Sequence, residues 1–266
     1  MAAGARLVLA AARARALSFG QPLHYYERLE STQAIARRLA EEGAPEGTLV
    51  VAGEQTGGRG RLGNSFFSPP GGLYLSLILR PSLQPSQAPL VGLALGLAVA
   101  ESVQSLTGLD PVLKWPNDVL IGRRKVSGVL IDLATTGESI RWAIAGVGLN
   151  VNISSFPREL RTTATSLFQE LGHEVGLDAL RAELLRRFHE HYRDLLAHGP
   201  PTLLAAWGAV PNLLGQIVRV SAGNEAFEGL AESLDADGAL LVRLEDGRRR
   251  RVVAAEVHLL PATQPG

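Results

Sequence analysis

The sequence predicts an α+β chain in two parts: a larger domain of interleaved strands and helices, then a small β-barrel. Three observations carry this. Short runs rich in β-branched residues alternate with stretches of helical periodicity as far as residue 196. The character changes across residues 200–214. Beyond that point, GQIVRVSAGNEAFEGLAESLDADGALLVRLEDGRRRRVVAAEVHLL shows short alternating strands split by Gly-Asn, Asp-Gly and Asp-Gly pairs, the pattern of a barrel of about 50 residues.

In chain order, LHYYERLE (23–30) reads as a strand and STQAIARRLAEEG (31–43) as a helix. Ser31 or Thr32 is placed to cap that helix and Gly43 to stop it. TLVVAGE (48–54) is a β-branched strand, and GGLYLSLILR (71–80) is a strand so apolar that both faces should be covered. Pro81, Pro85 and Pro89 mark a connection into an apolar helix at 88–106. Its longest apolar run, 88–100, is too short to span a bilayer and ends at Glu101. PVLKWPNDVLI, RRKVSGVLIDLAT and SIRWAIAGVGLNVNI read as three strand segments with tight turns, and 181–196 as an amphipathic helix.

Composition narrows the function. The 266 residues suffice for a large domain plus a small one. With 46% hydrophobic and 20% charged residues, the chain is of globular type. Twenty-six basic and 26 acidic residues cancel, so no global field favours nucleic acid or an anionic membrane, and any anion site must be local. The absence of cysteine excludes disulfides, thiolate metal sites and a cysteine nucleophile, and fits a reducing compartment. The first 20 residues are rich in Ala and Arg and contain no acid, a pattern shared by organellar transit peptides and ordinary short helices; the helix is the expectation.

EQTGGRGRLGN (54–64) is the first chemical signal. Glycines allow close backbone approach and positive φ, exposed N–H groups bind anions, and Arg59 and Arg61 add forked donors for carboxylate or phosphate. Gly58, Gly60 and Gly63 match G-x-G-x-x-G, but SFFSPPGG follows where a dinucleotide fingerprint needs a helix, and no acid occurs between Glu54 and Glu101. A phosphate-binding P-loop fails as well, for want of the Lys-Ser/Thr pair. Taken alone, the loop fits an anion cradle or a surface turn with incidental arginines.

KWPNDVLIGRRKVSGVLID gathers Lys114, Asn117, Asp118 and Lys125 on one expected hairpin, which would set Asp118 near Lys125. Such a pair is a clamp for a second anion or a structural ion pair, and Asp118 is a candidate Mg²⁺ ligand. AGVGLNVN (145–152) puts glycines and Asn150 in a strand, which marks close ligand approach or a β-bulge.

Loop, lysine hairpin and glycine strand, in this order, resemble the biotin protein ligases, the biotin–[acetyl-CoA-carboxylase] ligases. The resemblance rests on GRGRLGNSFFSP, KWPNDV with KVSGVL, and GVGLNVN, supported by Ser31-Thr32 and Gln55, and runs from about residue 23 to the C-terminus. It implies a mixed sheet flanked by helices, related to class II aminoacyl-tRNA synthetase cores, at 23–208, after a short segment at 1–22, and an SH3-like barrel at 212–262. It implies activation of biotin by ATP and Mg²⁺ to biotinyl-5′-AMP, then transfer to one lysine of a biotin carboxyl carrier domain, with no tightly bound prosthetic group.

By that resemblance, Ser31, Thr32 and Gln33 line the ureido end of biotin, with Gln55 beside the ligand. Gly58, Arg59, Gly60 and Arg61 fold over biotin and phosphate, and Lys125 contacts the biotin carboxylate and the adenylate. Gly128 admits the backbone close to biotin; Asn117 and Asp118 serve the ATP–metal side, and Asn150 and Phe66 the nucleotide. Lys125, Arg59 and Asp118 are the expected catalytic groups. The chain departs from the family at Gln33, often Asn, and at Phe66, often Trp, which puts the stacking role of Phe66 in question.

Some family members carry an N-terminal helix-turn-helix domain of roughly 50 or more residues. Only the segment before Pro22 is available here, so no sequence-specific DNA binding is expected. The basic run 247–251 is expected to be a solvated hairpin turn, and the six histidines structural or exposed. Lipoate ligase is the nearest enzyme alternative, but its RRxxGGGxV loop is missing; a non-catalytic binding regulator is another, opposed by Lys125 and Asp118. The chain is not itself a carrier, since the acceptor lysine of carriers lies in Met-Lys-Met and the one methionine is Met1. The expected compartment is the cytoplasm, without membrane association, as monomer or homodimer.

Overall fold

The computed structural model describes residues 19–222 and 225–260. Both the Ala/Arg-rich start and the Gly223-Asn224 turn pair lie outside the described residues. Seven strands, β1 (Leu23–Leu29), β2 (Leu49–Gln55), β3 (Leu73–Leu79), β4 (Pro111–Lys114), β5 (Asp118–Ile121), β6 (Arg124–Thr136) and β7 (Ser139–Leu149), form one sheet in the order β1-β2-β3-β7-β6-β5-β4. β1 and β2 pair in parallel through helix α1 (Thr32–Glu41), and every other pair is antiparallel.

Alternation along the strands sorts two cores. Val50, Ile78, Trp142 and Ile144 face Ala36 and Ala40 of α1. Leu49, Val51, Leu75, Leu77, Ala143, Ala145 and Val147 face α2 (Ala88–Thr107). β3 is buried along its whole length, as its unbroken apolar run predicts. The length and apolar composition of α2 would suffice to cross a membrane, but 72% of that window is buried, between the sheet and α4 (Leu177–His198). α4 turns Leu180, Leu184, Phe188, Tyr192 and Leu195 inward, one helical stripe. α3 (Leu167–Leu171) and α5 (Pro200–Ala209) were not expected from the sequence. Pro200-Pro201 reads as a breaker, yet proline suits a first helical turn, where its missing N–H has no partner to lose.

The segment 111–121 is two strands, because the Trp115–Asn117 turn separates β4 from β5. The second sheet holds β8 (Ile217–Ala222), β9 (Glu225–Leu234), β10 (Leu240–Arg243), β11 (Arg249–Val252) and β12 (Glu256–Leu259), antiparallel in the order β11-β10-β9-β8-β12, as in a small SH3-like domain. Gly238 and Gly247 of its two Asp-Gly turns take φ of 85° and 83°, which glycine adopts at little cost. The basic run is mostly strand rather than turn: Arg249, Arg250 and Arg251 lie in β11 and pair with Glu232, Glu225 and Asp235, so their charge is neutralised in place. Val218, Val220, Leu240, Val242 and Val257 join the core that contains α2. Trp115 Nε1 donates to Gly238 O at 2.8 Å, tying the β4–β5 turn to this sheet.

Candidate active site

Two rows of residues across the first sheet build the floor of the site. Ser76, Gly146 and Leu130 stand side by side on β3, β7 and β6. The next row runs Tyr74, Gly148, Gly128, Asp118, Lys114 across β3, β7, β6, β5 and β4. The glycines leave the floor bare. A Cβ on Gly148 would stand 2.5 Å from Phe66 Cε1, and one on Gly128 would stand 2.9 Å from Lys125 Nζ; Gly146 makes the same room for the Gln33 amide. Phe66 rests on this glycine floor, with the Lys125 ammonium 5.6 Å from its ring centre.

A first cavity of about 240 Å³ opens above the floor. Its walls are the start of α1 (Ser31, Thr32, Gln33), Gln55, the glycine-arginine loop, the β4–β5 turn, Lys125 and, from the second sheet, Glu256 and His258. A second cavity of about 440 Å³ adjoins it, sharing Phe66, Lys114, Asp118, Lys125 and His258, and adding Asn150 beside Phe67, Phe156, Leu160 and Leu259. The predicted Gly60, Arg59, Arg61, Asn117 and Gly128 all line the first cavity, while Asn150 lines only the second. Gly58 lines neither; it sits in the stem of the loop, where a Cβ would stand 2.5 Å from both Phe66 O and Ser68 Oγ.

Charge is concentrated where the cavities meet. Asp118 Oδ1 lies 2.6 Å from Lys125 Nζ, and its Oδ2 lies 3.7 Å from Lys114 Nζ. The hairpin brings Asp118 to Lys125 as the sequence predicts, helped by a register shift at Val119/Leu120. The backbone of Lys125 is pinned on both sides, its N–H donating to Thr163 O and its carbonyl accepting from Thr165 N. Arg61 donates to Asn117 Oδ1 at 3.3 Å; burial lowers its pKa against the opposing pull of Asp118 and Glu256. Arg59 is more exposed and lies 3.7 Å from Glu30. Among the described residues, no three His, Cys, Asp or Glu side chains cluster as a metal cage.

Buried polar atoms mark the ligand-facing ends. Ser31 Oγ, beside the first cavity, and Asn150 Oδ1, beside the second, are buried without a hydrogen-bond partner. An orphaned buried group costs about 1–3 kcal/mol, which a polar ligand would offset. Ser31 stands at the N-cap of α1 but makes no capping bond, and its hydroxyl has no partner; Gln55 Oε1 accepts from the neighbouring Thr32 N at 2.8 Å. Gln33 is held at both ends of its amide: Nε2 donates to Ile144 O and Oε1 accepts from Ser76 Oγ. It lines the first cavity beside Ser76.

Sequence reasoning missed Ser76, Glu256 and His258 as site residues, and marked Gly146 and Gly148 only as strand glycines open to close ligand approach or a β-bulge. Ser76 had a signal, being the lone polar side chain within the apolar LYLSLIL. Glu256 and His258 had none, because only packing of the second sheet on the first brings β12 to the cavities.

Sequence and fold likenesses identify the family. Residues 25–150 match the Biotin/lipoate A/B protein ligase family, and residues 213–260 match the Biotin protein ligase C terminal domain. The chain is 36% identical to the Bifunctional ligase/repressor BirA of Bacillus spizizenii, over 90% of this chain and 74% of the relative. It is 32% identical to the Biotin–[acetyl-CoA-carboxylase] ligase of Paracoccus denitrificans, over 86% of this chain and 97% of the relative. Its fold superposes on the biotin protein ligase from Aquifex aeolicus in complex with biotin and ATP with a TM-score of 0.78, at 32% identity, covering 91% of this chain and 100% of that one. A glycine floor between two cavities, a lysine-flanked carboxylate at their junction and these likenesses together make the chain a member of the biotin protein ligase family.

Proposed function

We propose that this chain activates biotin with MgATP and transfers it to one lysine of a biotin carboxyl carrier domain. The observation that carries the reading is the junction of the two cavities, where Lys125, Lys114 and Asp118 meet under Phe66. Biotin fits the first cavity with its ureido head toward Ser31, Thr32 and Gln55 and its carboxylate toward Lys125 and Arg61. The adenosine of ATP fits the second cavity, where apolar walls and the unpartnered Asn150 Oδ1 await a heterocycle.

Two anions must meet for reaction, so neutralisation and alignment are the work of the site. A biotin carboxylate oxygen attacks the α-phosphorus; the bond from that phosphorus to the bridging oxygen breaks, and pyrophosphate leaves. The carrier amine then attacks the acyl carbon, AMP leaves with the carboxylate oxygen, and the amine loses its proton. Lys125 and Arg61 stabilise charge gathering on the α-phosphate, while Asn117 holds Arg61 in place. No protein nucleophile is required, in keeping with a chain that has no cysteine. Mg²⁺ enters as part of the nucleotide substrate: Asp118, with Glu256 nearby, suits a metal held chiefly by phosphate oxygens. The glycine-arginine loop covers the acyl phosphate and keeps water out. The reading extends to a cytoplasmic compartment and a carboxylase carrier as protein partner.

ATP–pyrophosphate exchange tests the reading, with biotin, lipoate and no acid compared. Biotin-dependent exchange is the expected result. Exchange with lipoate alone, or none with either acid in folded protein, would overturn it.

A further inference from the structure

A chain of hydrogen bonds leaves the head of the first cavity and ends on the loop that roofs it. Ser76 Oγ donates to Gln33 Oε1 at 2.8 Å and lies 2.9 Å from Thr32 Oγ1. Thr32 Oγ1 lies 3.1 Å from Gln55 Oε1, which also accepts from Thr32 N. Gln55 Nε2 donates to Ser68 Oγ at 3.1 Å, and Ser68 Oγ donates to Phe66 O at 2.9 Å.

The hydrogen-bond chain has fewer protons than contacts. Ser76 and Thr32 have one hydroxyl proton each, shared among three oxygen contacts, to Gln33, to each other and to Gln55. A ligand carbonyl that takes the Thr32 proton removes one donor from Gln55 Oε1 and changes how the Gln55 amide is held. At the other end of that amide stands Ser68, which is buried and lines neither cavity.

Ser68 also lies at the hinge of the loop. Gln55 N donates to Ser68 O, and Phe66 N donates to Gly58 O, so the two loop stems are zipped together there. Gly58 has room for no side chain against Ser68 Oγ and Phe66 O, which packs the hinge directly against the serine hydroxyl. Beyond it, the loop folds back through Leu62 and Gly63, at φ of 56° and 80°.

We propose that Ser68 is a positioning residue that transmits occupancy of the head pocket, through Thr32 and Gln55, to Phe66 and the glycine-arginine loop. Filling the first cavity thereby sets the loop for the nucleotide. The proposal rests on the reading of that cavity as the biotin head pocket.

The test is Ser68→Ala, followed by hydrogen–deuterium exchange across residues 57–66 with and without biotin, and by steady-state ATP–pyrophosphate exchange. The expected variant binds biotin within about threefold of wild type, loses the slowing of loop exchange that biotin brings, and shows a KM for ATP raised about five- to tenfold, with kcat at saturating ATP little changed. Ser68→Thr, which keeps the hydroxyl, is expected to restore both readouts. Full biotin-induced protection and an unchanged KM in Ser68→Ala would overturn the relay and leave the functional reading intact. Wild-type protein that binds biotin without slowing loop exchange would likewise overturn the relay alone. Wild-type protein that binds no biotin would overturn the functional reading and the relay with it.

Discussion

Replacing Lys125 by alanine separates chemistry from folding. Its ammonium lies 2.6 Å from Asp118 Oδ1, borders both cavities and is one-third exposed. Removing a preorganised donor aimed at developing negative charge costs about 10²–10³ in kcat. The structural cost is far smaller. An ion pair at this exposure contributes up to about 1 kcal/mol, and Lys114 remains 3.7 Å from the same carboxylate. For a chain of this size, about 1 kcal/mol moves Tm by about 2–4 °C. The assay is biotin-dependent ATP–pyrophosphate exchange, with thermal denaturation on the same samples. A rate within threefold of wild type in protein of unchanged Tm would remove Lys125 from the chemistry and refute the charge argument.

Three further outcomes are expected. Gly146→Ala crowds the Gln33 amide and should raise the KM for biotin, whereas Gly148→Ala crowds the Phe66 ring and should raise the KM for ATP; equal effects on both substrates would contradict the division into two cavities. His258→Ala should raise the KM for ATP about three- to tenfold with the second sheet still folded, and unchanged kinetics would show that β12 only borders the site. Burial pushes the Glu101 carboxyl up, but hydrogen bonds and charge from His191 and Arg187 outweigh it and hold the pKa below the ordinary 4.5. The unfolded chain then binds the proton first, so this stability is complete above the ordinary carboxylate range and is lost as pH falls through the depressed folded value. Denaturant melts from pH 6 down to pH 3 should show a shallower acid limb in Glu101→Gln than in wild type; parallel limbs would count against the assignment.

Local chemistry was legible where neighbours in sequence are neighbours in space. The KWPND–KVSGV hairpin is such a case: a tight turn sets Asp118 against Lys125, so the spacing alone foretells the contact. The glycine-arginine loop has the same local logic: Arg59, Gly60 and Arg61 are consecutive in sequence and line the first cavity together. The capping of α1 was not legible. Ser31 has the right type and place for an N-cap but makes no capping bond, and the first helical N–H, that of Thr32, goes to Gln55, 23 residues beyond it, a contact that no local propensity encodes. The glycine strand was read as open to close ligand approach, but what Gly146 and Gly148 make room for, and the part of Ser76, come from strand register, which puts a hydroxyl beside bare backbone under Gln33 and Phe66. α5 was hidden because two prolines that end one helix equally well begin another.

The second sheet illustrates the limit of reading domains one at a time. Its sequence predicts a small barrel and nothing of its use. Its apolar residues belong to the same core as α2, and Gly238 of its first Asp-Gly turn sits against Leu90 and Leu93 while its carbonyl accepts from Trp115. Trp115 immediately follows Lys114 and begins the turn that carries Asn117 and leads into Asp118 at the start of β5. The barrel is therefore held to the lysine hairpin by the residue next to the charge cluster, and β12 brings Glu256 to the first cavity and His258 to both. Because both attachments act on one wall of the site, loosening the barrel should disturb the nucleotide side before the biotin head pocket, which is built from α1, β2 and β3. Trp115→Phe, which removes only the indole donor to Gly238, tests that order: the KM for ATP should rise while the KM for biotin stays near wild type. A rise confined to biotin would mean that the second sheet supports the head pocket instead.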